Sequence, residues 1–383
     1  MSIFVRFMVL NFLVNCANGS TSLLPPYLVS LGASQTFVGV YNVLSVLMIV
    51  LTVVVFGKQL VRLPRVGALR WGYVVTAGAY LLSWYFSGSL PLLVVFRVIG
   101  AVSQVFSSTI MIAAVFESTP PGQRAGRLAL FSVAGMLTNP MTSLLGETLL
   151  ANFGGPSLFL LGAGFVLAAF VWSFLLRELP PLERAETPSV FQVYRRPELR
   201  SLFVLTALFG IYYSALLTFL PHHTMATLGQ ANLSAFLVPF SIVAVLMRVF
   251  VGKQFDRHPP RRFLHLSFFA IFVAMLCLLL PSWWALVVAG TLYGLGHSVL
   301  YPMLNSQVVQ TGGEDHKAAY SNAFTVVNLT SAVTMTPLLG LLGDFWGFGA
   351  IVTVLAVVAL AGFFVSRRSF PKPASGRPYG HNS

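Results

Sequence analysis

Ionisable side chains are rare inside the long apolar stretches of this sequence, so each one is a candidate for proton or ion chemistry. Arg97 lies about seven residues after the start of its apolar stretch, and Glu147 lies about four residues before the end of the next one, which runs back in the opposite direction. Because a helix rises ~1.5 Å per residue, these two side chains are at similar depths. We predict a buried ion pair of Arg97 with Glu147, in which protonation of Glu147 couples ion flow to a conformational change.

The pair also has a purely structural interpretation, in which it only locks two neighbouring helices together. We favour the functional interpretation because the sequence offers no other carboxylate inside an apolar stretch, and proton coupling needs a titratable group. Replacement of Glu147 separates the two interpretations.

His297 lies near the middle of another apolar stretch, and imidazole changes its charge near neutral pH. It is predicted to bind a ligand or to carry a proton. The alternative is a structural histidine that is hydrogen-bonded to a neighbouring helix. Tyr293, Tyr301 and Asn305 follow the same four-residue spacing as His297, so all four share one helix face. Such a polar and aromatic face is predicted to contact water or a ligand.

Comparable polar faces occur in three further stretches. They carry Asn11, Asn15 and Asn18 in the first stretch, Gln104 on the same stretch as Arg97, and Asn328 near the C-terminus. Amide side chains are unfavourable against lipid. They are therefore predicted to line a central cavity or to form a network of hydrogen bonds between helices.

The elements that must position these residues are membrane-spanning helices. The chain has 383 residues, of which 56% are hydrophobic and 9% charged, and its mean hydropathy is +0.82. Apolar stretches of roughly 20 residues, the length of a helix that crosses ~30 Å of hydrocarbon, recur along the whole chain. The predicted spans are 5–31, 36–57, 69–88, 90–116, 128–151, 156–177, 201–221, 231–252, 262–281, 283–310, 318–342 and 347–367.

The basic residues are confined to every second connection between these spans. With the N-terminus inside, 21 of the 23 Lys and Arg residues fall on one side, and the other two, Arg97 and Arg248, lie within spans. The positive-inside rule then predicts that both termini are cytoplasmic. The net charge of +13 does not indicate nucleic-acid binding, because the charges are not gathered on one soluble face.

The sequence also contains an internal repeat. Residues 57–59 and 252–254 both read Gly-Lys-Gln, at an offset of 195, and residues 144–146 and 338–340 both read Leu-Leu-Gly, at an offset of 194. Near-equal offsets in the same loop order indicate a duplication. The predicted parts are two six-helix halves, 1–177 and 201–368, a cytoplasmic linker, 178–200, and a cytoplasmic tail, 369–383.

Residues 252–262, Gly-Lys-Gln-Phe-Asp-Arg-His-Pro-Pro-Arg-Arg, resemble the loop signature Gly-x-x-x-Asp-Arg-x-Gly-x-Arg-Arg of the major facilitator superfamily. In the first-half copy, Val61 stands where the family has Asp. Residues 97–100 resemble the family's Arg and Gly signature in span 4, and residues 135–146 resemble the Gly- and Pro-rich signature of its antiporters. Residues 294–302 are similar to bacterial drug and sugar efflux permeases.

The resemblance implies an all-α integral membrane fold, with twelve transmembrane helices in two six-helix pseudo-symmetric halves. It also implies that spans 1, 4, 7 and 10 line the cavity, which adds Tyr212 and Tyr213 of span 7 to the candidates. The predicted cavity residues are Asn11, Asn15, Asn18, Gln104, Tyr212, Tyr213, Tyr293, His297, Tyr301, Asn305 and Asn328. The residues predicted to act in conformational gating are Gly252, Asp256, Arg257 and Arg248.

These features predict a secondary active transporter that exports a small organic solute by proton antiport through alternating access. Mixed cavity polarity favours an amphipathic or neutral solute over a highly charged one. An importer of a sugar, organic acid or siderophore-like solute by proton symport is the alternative within transport. A receptor that keeps the transporter fold is the alternative of another class.

Several classes have no support in the sequence. It contains no phosphate-binding Gly-Lys-Ser/Thr loop, zinc-protease motif or nucleophile elbow, so we expect neither an ATP-driven pump nor an enzyme. No cofactor and no metal are expected. The expected partners are the solute, protons or another coupling ion, and the lipid bilayer, with no nucleic acid. We expect a monomer in the inner (plasma) membrane.

Overall fold

The computed structural model describes residues 3–60, 64–117, 119, 131, 134–135, 137–176, 193–250, 260–312 and 317–369. Within these ranges, the side chains of residues 49–50, 53–60, 105–109, 112–113, 116–117, 248–250, 260–261, 317–318 and 368–369 are left out. The described backbone is almost entirely helical and contains no strand. In an apolar surrounding a helix satisfies its backbone hydrogen bonds internally, which is why these sequences adopt it.

Twelve α-helices are present in the described residues. They are α1 Ile3–Ser20, α2 Leu24–Ser30, α3 Gln35–Leu60, α4 Arg65–Tyr85, α5 Leu90–Glu117, α6 Thr138–Phe153, α7 Ser157–Ser173, α8 Arg200–Leu228, α9 Leu233–Phe250, α10 Pro260–Cys277, α11 Trp283–Gly312 and α12 Lys317–Ser369. Every predicted span overlaps one of these helices. Spans 11 and 12 are both contained in α12, which is kinked at Gly347.

Span 1 differs from the prediction because it is not one continuous helix. A 3-10 turn, Thr21–Leu23, separates α1 from α2. Pro25 and Pro26 occupy the first turn of α2, where the N–H that proline lacks would have no helical partner. The Ser20 and Ser22 hydroxyls donate to the carbonyls of Ala17 and Gly19, each at 2.7 Å. The two prolines and the two serine hydroxyls together account for the interruption of the helix.

The backbone repeats the duplication that the sequence predicts. Gly32 and Gly229, 197 residues apart, have φ values of 90° and 74° and precede α3 and α9. Gly154 and Gly347, 193 residues apart, have φ values of 74° and 75°. All positive-φ residues of the described chain are therefore glycines in corresponding loops of the two halves. Only glycine takes this conformation without strain.

The helices group into two compact units. The first comprises Met1–Arg184 with Leu220–Ser234. In it, α1 packs against α5, α6 and α7, while α4 packs against α5 and α7. Its interior includes the fully buried side chains of Phe7, Leu10 and Leu158.

The second unit comprises Ala185–Phe219 with Ala235–Ser383. Helix α10 packs against α11 and α12, and α11 also packs against α12. Phe268 and Phe324 are fully buried there. Helix α11 also approaches α9 closely: a Cβ at Gly294 would lie 2.8 Å from the carbonyl oxygen of Phe240. This approach brings the aromatic residues of the two helices together.

Candidate functional site

Arg97 lies beside the break in span 1. Its Nη1 atom donates a hydrogen bond to the Thr21 hydroxyl at 3.2 Å, and its Cζ atom lies 5.2 Å from the centre of the Tyr41 ring. The second contact is a cation–π interaction with a ring that is almost fully buried. A polar turn and an aromatic face therefore hold the guanidinium.

The same break is stabilised by side chains that bond the last carbonyls of α1, which have no helical donor. The Thr21 hydroxyl donates to the Asn18 carbonyl at 2.8 Å. The Tyr80 hydroxyl, on α4, donates to the Ala17 carbonyl at 2.9 Å. Non-helical backbone at membrane depth is tolerated where protein groups satisfy it or where it lines a cavity. At this break, Thr21 and Tyr80 satisfy the backbone carbonyls, and Thr21 also lines a cavity.

A small cavity of about 30 Å³ adjoins the Arg97 guanidinium. Thr21, Ser45, Tyr80 and Gln104 contribute to its wall. This volume holds one or two water molecules, and the hydroxyl and amide groups of the wall can bond them. The cavity belongs entirely to the first unit.

Glu147, on α6, binds the first turn of α9. Its Oε1 atom accepts a hydrogen bond from the backbone N–H of Ser234 at 2.7 Å, and its Oε2 atom accepts one from the Ser234 hydroxyl at 2.5 Å. Ser234 is the second residue of α9, so its N–H has no partner inside the helix. The carboxylate also lies at the positive end of the helix dipole. Glu147 therefore acts as an N-terminal cap supplied by another helix.

The described side chains of Arg97 and Glu147 do not form the predicted ion pair. In the described chain, Arg97 contacts Thr21 and Tyr41, while Glu147 accepts hydrogen bonds from Ser234 and from the backbone of Leu233. Equal depth in two helices does not set the direction in which each side chain points. The rotation of α5 and α6 about their axes directs the two groups to different neighbours.

The polar face of span 1 divides between two roles. Asn11 is almost fully buried and donates to the carbonyl of Phe131 at 2.9 Å, while Asn15 donates to the Asn11 carbonyl at 2.7 Å. Asn11 and Asn15 therefore belong to a hydrogen-bond network between helices, which was the alternative to a cavity lining. Asn18 is exposed and accepts a hydrogen bond from Gln104, which places both near the Arg97 cavity.

The second unit contains a cluster of rings around His297, which we call the His297 cluster. It comprises Phe209, Tyr213, Phe240, Tyr293, His297 and Tyr301. The imidazole centre lies 5.0 Å from the ring of Phe209, 5.4 Å from Tyr213, and 5.3 Å from both Phe240 and Tyr293. Helices α8, α9 and α11 supply the rings. Such a cluster can stack on a planar or apolar part of a ligand, while the imidazole can exchange a proton.

The remaining predicted residues of spans 7, 10 and 11 have different environments. Tyr212 is fully buried although its neighbour Tyr213 joins the cluster, because adjacent residues on a helix point about 100° apart. The hydroxyls of Tyr212 and Tyr293 and the Oδ1 atom of Asn305 are buried without a hydrogen-bond partner. Asn328 is half-buried on α12.

The predicted gating residues cannot be placed in this geometry. Gly252, Asp256 and Arg257 lie outside the described residues. Arg248 belongs to the backbone of α9, but its side chain also lies outside them. Among the described residues, no group of three or more His, Cys, Asp or Glu side chains is arranged to hold a metal ion.

Sequence reasoning missed Ser234 and Tyr41, together with the phenylalanines of the His297 cluster. Phe209 and Tyr213 are four residues apart, and so are Phe236 and Phe240, which is the spacing of one helix face. The chain has 33 phenylalanines, so this spacing alone is a weak signal. Ser234 had no signal at all, since a serine near a helix start is commonplace.

The sequence model of the Major Facilitator Superfamily matches residues 7–280 and 229–381 of this chain. The chain belongs to the major facilitator superfamily. Its structure is similar to that of the nucleoside transporter NupG, with a TM-score of 0.77 and 15% identity over 96% of this chain and 98% of the other.

Two further transporter structures of the same fold are similar to this superfamily member. One is a bacterial homolog of the human lysosomal transporter Spinster, inward-facing and unoccupied, with a TM-score of 0.74, 16% identity and coverage of 97% of this chain and 98% of the other. The other is the human organic anion transporter MFSD10, with a TM-score of 0.66, 17% identity and coverage of 96% and 100%. At these identities the likeness shows the fold alone.

Membership of the superfamily confirms the predicted fold: an all-α integral membrane protein with twelve transmembrane helices in two pseudo-symmetric halves. The chain is a multi-pass membrane transporter of small solutes. The family and the similar structures consist of transporters rather than enzymes.

Proposed function

We propose that this transporter exports a small organic solute by alternating access in exchange for protons, and that Glu147 is the proton-coupling residue. The observation that carries the proposal is the double hydrogen bond of the Glu147 carboxylate to Ser234. Both bonds use the carboxylate as acceptor, so both depend on the protonation state of one group within a span.

Protonation changes this contact in a defined way. A neutral carboxyl group keeps one good acceptor oxygen and turns the other into a donor, and it loses the attraction to the helix dipole. Hydrogen bonds to a charged group are also about twice as strong as neutral ones. Proton binding at Glu147 therefore weakens its hold on the first turn of α9, and proton loss restores it. This two-state contact supplies the link between proton and conformation.

The other predicted residues have roles that follow from their positions. The His297 cluster of the second unit is suited to an apolar or aromatic group, and the exposed amide of Asn18 with Gln104 in the first unit is suited to a polar group. Residues 1–177 and 201–368 move against each other, with 178–200 as linker, 369–383 as tail, and Gly252, Asp256, Arg257 and Arg248 as gating residues. Export is the direction of the antiporters that residues 135–146 resemble.

The test uses full-length protein in proteoliposomes and a solute that raises its melting temperature. Glu147→Gln mimics the neutral acid. It is expected to retain solute exchange across the membrane at equal pH but to lose accumulation driven by a pH gradient. Ser234→Ala keeps the carboxylate and is expected to retain gradient-driven accumulation at a reduced rate. Glu198→Gln removes an exposed carboxylate outside the spans and serves as control.

The same experiment separates the alternatives. Gradient-driven accumulation by Glu147→Gln at the wild-type rate would refute proton coupling at this residue. Accumulation of solute on the side from which protons leave supports antiport, and accumulation on the side that protons enter supports symport. Solute binding without any flux would instead identify a receptor.

A further inference from the structure

The charge of Arg97 has no acidic partner in the described chain. Its contacts are the Thr21 hydroxyl and the Tyr41 ring, both neutral. The chain has ten acidic residues, and Glu147 is the one that lies within a predicted span. Ser234 binds both of its carboxylate oxygens. Glu117, at the end of the same helix as Arg97, is 20 residues and therefore ~30 Å away.

Such a charge is unfavourable unless something balances it. An Arg within a membrane helix opposes insertion, and intramembrane charges are normally paired. A cation–π contact offsets only part of this. The Nε atom of Arg97 is buried without a hydrogen-bond partner. The guanidinium therefore has an unbalanced positive charge and an Nε–H donor that can bind a further group.

The surroundings of Arg97 suit an anion. The adjoining cavity of about 30 Å³ has room for two oxygen atoms. Thr21, Ser45 and Tyr80 bring hydroxyl groups to its wall, and Gln104 brings an amide. A carboxylate accepts up to about four hydrogen bonds, and a guanidinium binds it with two parallel ones. A neutral solute would leave the charge unbalanced.

We propose that Arg97 binds the carboxylate of a small monoanionic organic solute, which acts as the counterion that the described part of the chain does not supply. The proposal rests on the function proposed above, since it assumes that the protein carries a small organic solute. It changes the expectation of a neutral solute, because that expectation counted Glu147 as the partner of Arg97. The expected solutes are therefore organic carboxylates of moderate size, in which the rest of the molecule is apolar or aromatic.

The test compares acids with their own amides, which have the same shape without the charge. Melting temperatures of purified full-length protein are titrated with benzoate and benzamide, nicotinate and nicotinamide, and phenylacetate and phenylacetamide. Charge-assisted hydrogen bonds predict that the acid of at least one pair binds about ten- to a hundredfold more tightly than its amide. This preference is expected to vanish in Arg97→Gln and to be reduced but present in Arg97→Lys.

Arg70→Gln is the matched control. Arg70 also donates to one oxygen, the carbonyl of Ser173 at 3.3 Å, and lies over one ring, that of Phe174, at 4.6 Å. It is not part of the wall of the Arg97 cavity. Arg70→Gln is expected to keep the wild-type preference for the acid. Should Arg97→Gln fail to fold, Arg97→Lys retains the charge and decides the question by its weaker preference.

Two results would overturn the proposal: no acid in the panel binds more tightly than its amide, or the preference survives in Arg97→Gln. Neither result affects the proposed function, which fails separately if no solute is moved by a pH gradient. Gradient-driven flux of neutral amides only would reject the carboxylate and keep the antiporter.

Discussion

The two units of this transporter differ in the buried polar side chains that they contain. The first unit holds a guanidinium and a carboxylate that bind neutral partners rather than each other. The second holds the hydroxyls of Tyr212 and Tyr293, both enclosed without a hydrogen bond. A buried polar group without a partner destabilises the fold by about 1–3 kcal/mol, so such groups are retained for a reason other than stability. Contact with a solute is one such reason.

Tyr293→Phe is expected to increase the free energy of unfolding by about 1 kcal/mol, because it removes an unsatisfied hydroxyl and keeps the ring. Solute affinity is expected to fall in the same variant. Tyr80→Phe is the matched control, since the Tyr80 hydroxyl donates to the Ala17 carbonyl at 2.9 Å. It is expected to lower the free energy of unfolding by about 1 kcal/mol. Thermal unfolding in detergent measures both, and equal losses would contradict the assignment.

At the scale of elements, helix contacts through glycine position the His297 cluster. Gly290 and Gly294 of α11 face the backbone of α9 so closely that a side chain at either position would meet a carbonyl oxygen, that of Phe236 or of Phe240. Small residues at such crossings allow the backbones of membrane helices to approach. The approach places Tyr293 and His297 within ring contact of Phe240. The glycines are therefore part of how the cluster is built.

Gly290→Ala is expected to destabilise the protein by about 1–3 kcal/mol, because the added Cβ collides with the Phe236 carbonyl and forces the helices apart. Gly164→Ala, on the exposed side of α7, has nothing within 4 Å of the added Cβ. This control is expected to be neutral or slightly stabilising, since alanine favours a helix over glycine. Similar melting temperatures for the two variants would show that α9 and α11 are less closely packed than described.

At the scale of the whole molecule, duplication and one-sided charge predict the orientation of the chain in the membrane. The turns at Gly154 and Gly347 have the same backbone conformation 193 residues apart, which places them in corresponding loops. Neither loop carries the basic residues that occupy every second connection. The positive-inside rule therefore predicts that both loops lie on the outer side and that both termini are cytoplasmic.

Reporter fusions expressed in bacteria test this assignment. Alkaline phosphatase fused after Gly154 or after Gly347 is expected to be active, because that enzyme needs the oxidising periplasm. The same enzyme fused after Arg184, in the basic linker, is expected to be inactive. A green fluorescent protein at the C-terminus is expected to fluoresce. Phosphatase activity at Arg184 would reverse the orientation.

The sequence by itself determined the class, the spans, the duplication and the family. These properties follow from one-dimensional patterns: apolar length sets where a helix can cross a bilayer, and the placement of Lys and Arg sets its orientation. Loop residues 252–262 and the repeat offsets carried the family resemblance that the superfamily match confirms. Helical spacing placed Tyr293, His297 and Tyr301 on one helix face, and the structure brings the rings of Tyr213 and Tyr293 into contact with His297. Their role in a solute cavity stays a prediction.

Only the tertiary structure decided which partner each buried polar group takes. Depth along a helix follows from residue number, but the rotation of the helix about its axis depends on how its neighbours pack. Arg97 and Glu147 have similar depths and yet bind Thr21 and Ser234. The partners of the broken backbone in span 1 likewise come from other helices, since Arg97 bonds Thr21 and Tyr80 bonds the Ala17 carbonyl. Packing, rather than sequence pattern, thus left Arg97 free of an acidic partner in the described chain.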